Sequence, residues 1–129
     1  MTWEWLEESV VIAIYDAQLA EHGGIGGLRD EGLLRSALAR PQNLLAYGDG
    51  PDVGDLAAAY GFGLAQNHAF LDGNKRTAFV AMEAFLELNG YALAADDRDC
   101  IATFEQLAAG QIGEADLAAW IRTRISRAG

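Results

Sequence analysis

Apolar residues recur at helical spacing along almost the whole chain, and strand-like alternation of apolar and polar residues is almost absent. The most regular segment carries one apolar side, made of Val53, Leu56, Tyr60 and Leu64. The segment that follows it repeats in the same way and is closed by Asn89–Gly90, a typical helix stop. The pattern predicts an all-α fold, a single compact bundle of about six helices that forms one domain over residues 1–129.

Capping residues and helix breakers set the expected ends of the other helices. The first helix is predicted over residues 3–20, with Thr2 as its N-cap. Its buried stripe is expected to contain Leu6, Val10 and Ile14. Asp30 is predicted to cap a short second helix that Pro41 ends. The apolar positions of the last two predicted helices are Ile101, Phe104 and Leu107 in one and Leu117, Ile121 and Ile125 in the other.

Composition narrows the class of protein. The chain has 129 residues, 51% hydrophobic and 22% charged, which is ordinary for one globular domain. Cys100 is the one cysteine, so a secreted disulfide scaffold is excluded. The N-terminal segment does not resemble a signal peptide, and no apolar stretch approaches the roughly 20 residues of a membrane span. We therefore expect a soluble, cytoplasmic protein with no membrane partner.

The charge balance points away from nucleic acid. The net charge is −10, and Lys75 is the only lysine of the chain. Direct binding to nucleic acid would need clustered lysine and arginine on a positive face, so none is expected. A basic protein partner fits this charge better.

Site-competent side chains are concentrated in the segment NHAFLDGNKR, which joins two predicted helices. The start of a helix exposes free backbone N–H groups and a partial positive charge, which favours a phosphate. Gly73 allows a tight turn and a close approach to a ligand. Three further donors follow at the same helix end, namely Asn74, Lys75 and Arg76. Because cations oppose the dipole at a helix start, this arrangement favours a bound anion.

Two other residues of the segment suggest a reaction. Asp72 is placed to hold Mg²⁺ against phosphate oxygens. His68 can accept a proton from an attacking hydroxyl near neutral pH. Together with the anion site, they predict phosphoryl or nucleotidyl transfer.

Each residue of the segment also has a structural interpretation. His68 fits a helix C-cap, and Asp72 and Asn74 are common turn residues. Lys75 and Arg76 fit solvated surface charges. The density of site-competent residues in one loop favours the functional interpretation.

The segment from His68 to Arg76 resembles the signature H-x-F-x-[D/N]-[A/G]-N-K-R of the death-on-curing (Doc) toxins, a branch of the Fic/Doc superfamily. The upstream stretch HGGIGGLRDEGLLRSALARPQNLLAYG is similar to that family as well. The resemblance implies a helical bundle with the motif between two central helices. It implies His68 as general base, Asp72 as the Mg²⁺ ligand, and a phosphate site formed by Gly73, Asn74, Lys75 and Arg76. It also implies that the segment from Leu44 to Gly50 is a flap against which a target chain docks.

Three positions separate this chain from adenylylating Fic enzymes, whose motif is H-P-F-x-x-G-N-G-R-x-x-R. The chain has Ala69, Lys75 and Phe79 where that motif has proline, the second glycine of G-N-G and the last arginine. The resemblance is therefore to the Doc branch, which implies a protein kinase that uses ATP and Mg²⁺ to phosphorylate elongation factor Tu. It also implies a cognate antitoxin whose C-terminal segment covers the groove. Transfer of AMP or another nucleotide part, and a catalytically silent binding module, are the alternatives.

A glycine-rich stretch and a pair of tryptophans each have a structural interpretation. The glycine-rich stretch from Gly23 to Gly27 lacks the spacing of a phosphate-binding loop and is predicted to be a helix stop. Trp3 and Trp5 lie two residues apart on the first predicted helix, so one is expected to pack and the other to be exposed.

Overall fold

Six helices and one small antiparallel sheet make up the fold in the computed structural model, which describes residues 2–128. In chain order the elements are α1 (Glu8–His22), α2 (Glu31–Tyr47), α3 (Val53–Asn67), α4 (Asn74–Leu88), β1 (Tyr91–Leu93), α5 (Asp97–Ala108), α6 (Glu114–Arg122) and β2 (Ile125–Arg127). The predicted all-α fold of about six helices is confirmed. The sheet is an addition that the sequence pattern did not indicate.

Helix α3 is the centre of the bundle. It packs against α2, α4, α5 and α6, and its residues are buried on nearly every side. Gly61 shows how close this packing is, because a Cβ there would lie 3.1 Å from Leu117 and 3.2 Å from Phe104. A helix that is apolar and small all round is suited to such a position. The predicted apolar side of this helix is confirmed, since all four of its residues are buried.

Helix α2 begins where the sequence predicted but continues past its proline. The Asp30 carboxylate accepts a hydrogen bond from the backbone N–H of Leu33, which confirms Asp30 as the N-cap. The helix then runs through Pro41 to Tyr47, so the prediction that Pro41 ends it is wrong. Proline removes one helical hydrogen bond. Burial of Leu34 and Pro41 on the face that packs against α3 offsets this loss.

The first helix starts later than predicted. Helix α1 begins at Glu8 after Glu7, so Thr2 is not its N-cap. Its buried residues are Val11 and Tyr15, whereas Val10 of the expected stripe is 41% exposed. The predicted stripe is one residue out of phase with the buried side of α1 because the segment before Glu8 is not helical.

That preceding segment is an extended strap along α4. Both Trp3 and Trp5 stack on Phe85, with ring centroids 6.3 Å and 5.9 Å away. Residues two apart share one side of an extended chain, although they do not share a helix face. The expectation that one of the two tryptophans would be exposed is therefore wrong. The Leu6 N–H also donates to the buried Tyr60 hydroxyl at 3.0 Å.

The end of the chain contains the second element that differs from expectation. Ile125, predicted to be helical, pairs with Leu93 in the β1–β2 sheet. The guanidinium of Arg127 lies over the Tyr91 ring at 5.4 Å. Strands of three residues are too short to show a period of two, so only the packing of distant segments creates them.

Across residues 2–128, none of the helices combines the length and apolar character that a membrane crossing would need.

Candidate active site

The residues between α3 and α4, His68 to Gly73, form a short connection that we call the motif loop. His68 is the C-cap of α3 and is exposed. Its backbone is left-handed, with φ 51° and ψ 50°, and it is the single non-glycine residue with positive φ among residues 2–128. Gly73, at φ 75°, is the N-cap of α4. The prediction that the motif lies between two central helices is confirmed.

The apolar residues of the motif loop anchor it to the core. Ala69 and Phe70 are 1% and 3% exposed. The Phe70 ring stacks on Tyr15 of α1, with centroids 3.9 Å apart and planes 9° from parallel. This buried pair anchors the motif loop to the core, whereas His68 and Asp72 lie at the surface.

The Asn74 side chain closes the motif loop on itself. Its Oδ1 accepts the Phe70 N–H at 3.1 Å, and its Nδ2 donates to the Phe70 carbonyl at 2.9 Å. The amide therefore spans the loop and holds its turn shut. A phosphate contact by Asn74 would have to use the second N–H of the same amide.

The N-terminus of α4 has the features of an anion site. The first backbone hydrogen bond of α4 runs from the Thr77 N–H to the Gly73 carbonyl, at 3.0 Å. The N–H groups before Thr77 make no such helical bond. Within the described chain no side chain caps this helix start, and its first turn carries exposed Lys75 and Arg76. Free N–H groups, the helix dipole and two cations therefore converge at one exposed point.

Asp72 lies beside this helix start. Its Oδ1 accepts the Gly73 N–H at 2.8 Å, and its Oδ2 accepts the Ile25 N–H at 3.4 Å. The carboxylate is exposed, so water and a cation can reach it.

The donor set fits Mg²⁺ that is shared with a substrate. In residues 2–128 no cluster of three or more His, Cys, Asp or Glu side chains could hold a metal by itself. Mg²⁺ commonly keeps several waters and binds through one or two carboxylates together with substrate phosphates. Asp72 next to an anion-binding helix start supplies such an arrangement.

The glycine-rich stretch does more than stop a helix. Gly23 ends α1, as predicted, but the stretch from Gly23 to Gly27, here called the glycine loop, then lies against the motif loop. The Leu71 N–H donates to the Gly27 carbonyl at 3.0 Å, and Arg76 reaches the Gly23 carbonyl at 3.5 Å. Tyr15 accepts the Gly27 N–H at 2.7 Å. The glycines permit this close approach of two backbones.

Gly24 offers a test of the contact between the glycine loop and Asp72. A Cβ at Gly24 would lie 2.5 Å from Asp72 Oδ2, and the residue has φ 121°. On the prediction that Asp72 holds Mg²⁺ for a transfer reaction, we expect Gly24→Ala to displace the carboxylate and to raise the Mg²⁺ concentration needed for half-maximal activity several-fold. Gly23→Ala is the matched control, because Gly23 also has positive φ but a Cβ there meets nothing within 4 Å. Titrations of activity against Mg²⁺ that coincide for the two variants would contradict the expectation.

A cleft of about 560 Å³ opens beside the motif loop, between α1, α4 and α5. Its walls include Phe79, Phe104 and Ile101, and Lys75 and Arg76 stand at its edge. Ile101, expected to be buried, is 60% exposed in this cleft, whereas Cys100 is buried. Phe104 and Leu107 are buried as the spacing predicted, so the prediction for α5 is wrong only at Ile101.

Cys100 lines the same cleft but is a poor candidate for a nucleophile. Burial, together with nearby Glu83, Asp97 and other carboxylates, raises the pKa of its thiol to about 11. The group is therefore a thiol rather than a reactive thiolate at neutral pH.

The expected flap lies away from the motif loop. The stretch from Leu44 to Gly50 forms the end of α2 and the following turn. The start of α2 lies near the end of α3, where Asn67 donates to the Leu33 carbonyl at 2.9 Å. The flap is thus at the opposite end of α3, which at 15 residues is about 22 Å long. It lines a separate pocket with Ala115 and Ala118 of α6, so the structure does not bring it next to His68.

All six predicted site residues, in contrast, lie within one loop and one helical turn. They are His68, Asp72, Gly73, Asn74, Lys75 and Arg76. Sequence reasoning missed the residues that support them from other elements, namely Tyr15, Gly24 and Arg29. Gly24 and Arg29 lie in the upstream stretch that is similar to the Doc family, and this similarity could have indicated them, whereas Tyr15 lies outside that stretch.

The fold and the site define an all-α protein with a histidine, an aspartate and an anion-binding helix start in one interhelical loop. A family model described as "Fic/DOC family" matches residues 5–86, which is more than half of the chain. The chain therefore belongs to the Fic/Doc family.

Two curated relatives are similar over part of the chain. The protein "Toxin Doc" of Mycolicibacterium smegmatis is 52% identical over 75 residues, which cover 57% of this chain and 58% of the relative. The protein "Protein kinase doc" of Escherichia phage P1 is 36% identical over 80 residues, which cover 62% of this chain and 64% of the relative. The matched region is thus less than two thirds of the length of either relative.

Proposed function

We propose that the protein is the toxin of a toxin–antitoxin system and transfers the γ-phosphate of ATP to a hydroxyl group of a protein. The observation that carries this proposal is the meeting of His68, Asp72 and the uncapped start of α4 at one exposed point. The names of the two relatives, a Doc toxin and a Doc protein kinase, support it.

In the proposed step, the hydroxyl oxygen of the target attacks the γ-phosphorus of ATP. An oxygen–phosphorus bond forms while the bond between the γ-phosphorus and the β,γ-bridging oxygen breaks, and ADP leaves. The imidazole of His68 accepts the proton of the attacking hydroxyl. The exposure of His68 at the end of α3 allows a protein substrate to reach it.

The phosphates of ATP are proposed to lie at the start of α4. The free N–H groups after Gly73 and the side chains of Lys75 and Arg76 would bind them, with the second N–H of Asn74 as a further donor. Asp72 would hold Mg²⁺, which when bound supplies positive charge against the developing charge on the phosphate oxygens.

Two residues favour γ-phosphoryl transfer over transfer of AMP. Lys75 brings a long cation to a position that is glycine in adenylylating Fic enzymes. Phe79 replaces an arginine of that motif and packs edge-on against Phe104, with centroids 5.7 Å apart. That position therefore contributes to the α4–α5 contact and supplies no cation for a phosphate.

The partners are proposed from the resemblance and the surface. The substrate is proposed to be elongation factor Tu, so that phosphorylation would stop translation. The cognate antitoxin is proposed to cover the cleft between α1, α4 and α5. An amphipathic antitoxin segment suits the exposed Ile101 side chain and the half-buried Phe79 of this cleft.

The proposed reaction is tested by incubating the purified protein with Mg²⁺, elongation factor Tu and ATP that is labelled at either the γ- or the α-phosphate. We expect γ-label on the factor and no α-label. Mass spectrometry of the factor should find a mass increase of one phosphate on a hydroxyl side chain. A Lys75→Gly variant should lose most γ-transfer while its melting temperature stays close to that of the parent.

Transfer of the α-label to the factor would overturn the kinase proposal in favour of nucleotidyl transfer. Label on another protein of a cytoplasmic extract, but not on elongation factor Tu, would overturn the substrate proposal alone. Folded protein that transfers neither label to any protein would favour the silent binding module.

A further inference from the structure

The motif loop is held along its length by a second segment, Gly27 to Asp30, which joins the glycine loop to α2. Leu28 and Phe70 form an isolated antiparallel bridge. The N–H groups of Arg29 and Asp30 both donate to the Ala69 carbonyl, at 2.7 Å and 3.0 Å. This segment therefore acts as a short partner strand for the motif loop.

Arg29 adds a side-chain contact to this pairing. Its Nε donates to the His68 carbonyl at 2.7 Å, and its terminal nitrogen Nη2 reaches the Asn67 carbonyl at 3.4 Å. These carbonyls belong to the last turn of α3, which leaves its final C=O groups without partners inside the helix. A cation is favoured there by the helix dipole, and its hydrogen bonds to the carbonyls are charge-assisted.

Arg29 contacts His68, the residue of the motif loop with the unusual backbone conformation. His68 has a left-handed conformation that residues other than glycine adopt rarely and at an energetic cost. The backbone angles of His68 set the direction of its Cα–Cβ bond, and this direction sets where the imidazole lies. The Arg29 guanidinium contacts the carbonyl of Asn67, the last helical residue of α3, and the carbonyl of His68, whose backbone is left-handed.

We propose that Arg29 is a positioning residue for His68, acting on its backbone rather than on the substrate. Arg29 fixes the left-handed turn at the end of α3 and so fixes the direction in which the imidazole leaves the motif loop. The inference rests on the proposed function, in which His68 is the base of the transfer reaction.

The test compares Arg29→Met with Arg35→Met. Arg35 is also an exposed arginine, but it pairs with Glu8 of α1 and Glu31 of α2 instead of with the motif loop. We expect Arg29→Met to lower kcat by about 10- to 100-fold, the range in which a misplaced catalytic group acts. KM for ATP should change less than twofold, because Arg29 has no place in the phosphate site. Arg29→Lys should recover part of kcat by restoring one donor to the His68 carbonyl, and Arg35→Met should match the parent.

A double variant tests the route of the effect. In a His68→Ala background, Arg29→Met should cause no further loss of the residual rate, since a positioning residue has nothing left to position. Full additivity of the two losses, or an unchanged kcat in Arg29→Met, would overturn the inference.

A measurement without substrate separates this inference from the proposed function. The chain contains two histidines, so a ¹³C-histidine NMR spectrum has one ring signal for His68 and one for the exposed His22. Arg29→Met should move the His68 signal and leave that of His22 in place, whatever reaction the protein catalyses. If both signals stay unchanged, Arg29 does not position His68. If the His68 signal moves but His68→Ala retains full transfer activity, the proposed role of His68 as base fails while the structural role of Arg29 stands. If Arg29→Met does not fold, the same spectra and rates are measured on Arg29→Lys.

Discussion

Replacement of His68 by alanine is expected to lower kcat for phosphoryl transfer by about 10² to 10⁴-fold, the usual contribution of a general base. KM for ATP should stay within a few-fold of the parent value, because the phosphates are proposed to bind at the start of α4 and not at His68. The fold should survive, since the imidazole is exposed and the loop is anchored by Phe70. The measurement is steady-state transfer of γ-label, with the melting temperature recorded for each variant.

Two further variants decide how a loss in His68→Ala is interpreted. Asparagine tolerates the left-handed backbone better than alanine but cannot act as a base, so His68→Asn should be as inactive as His68→Ala. His22→Ala is the matched control, because His22 is the other histidine and is also exposed. Recovery of activity in His68→Asn would mean that loop geometry, and not proton transfer, had been lost.

Replacement of Phe85 by alanine is expected to have the largest effect on stability. Phe85 is fully buried and contacts Trp3, Trp5 and Tyr60 through its ring. Removal of a buried phenylalanine side chain costs about 3–5 kcal/mol, because packing is lost and a cavity remains. The free energy of unfolding of a domain is typically about 5–15 kcal/mol, so this single change would remove a large part of it.

Urea unfolding followed by far-ultraviolet circular dichroism measures the loss. Phe79→Ala is the matched control on the same helix, because Phe79 is only partly buried and has one aromatic neighbour, Phe104. Its loss of unfolding free energy should be clearly smaller. Equal losses in the two variants would mean that the N-terminal strap contributes little to the core around Phe85.

Local signals were sufficient for most of the helical framework. The capping of α2 by Asp30 follows from a side chain that lies three residues from the N–H group it binds. Apolar spacing identified the buried side of α3 because that helix is long and periodic. The predicted helix boundaries were wrong at Pro41 and before Glu8. At Pro41 tertiary packing outweighed the helix-breaking tendency of proline, and the strap before Glu8 has no helical periodicity.

The sequence by itself determined the all-α class and the grouping of the six predicted site residues, because both depend on short-range patterns. Helical periodicity is repeated in each segment, and the residues from His68 to Arg76 stand together in the chain. Tertiary structure alone decided which other residues hold that site. Arg29 and Gly24 lie about 40 or more positions from their partners in the motif loop, and no local preference indicates contacts between such distant residues. It also decided that Leu44 to Gly50 lie far from His68, because antiparallel packing places the two ends of α3 at opposite ends of the bundle.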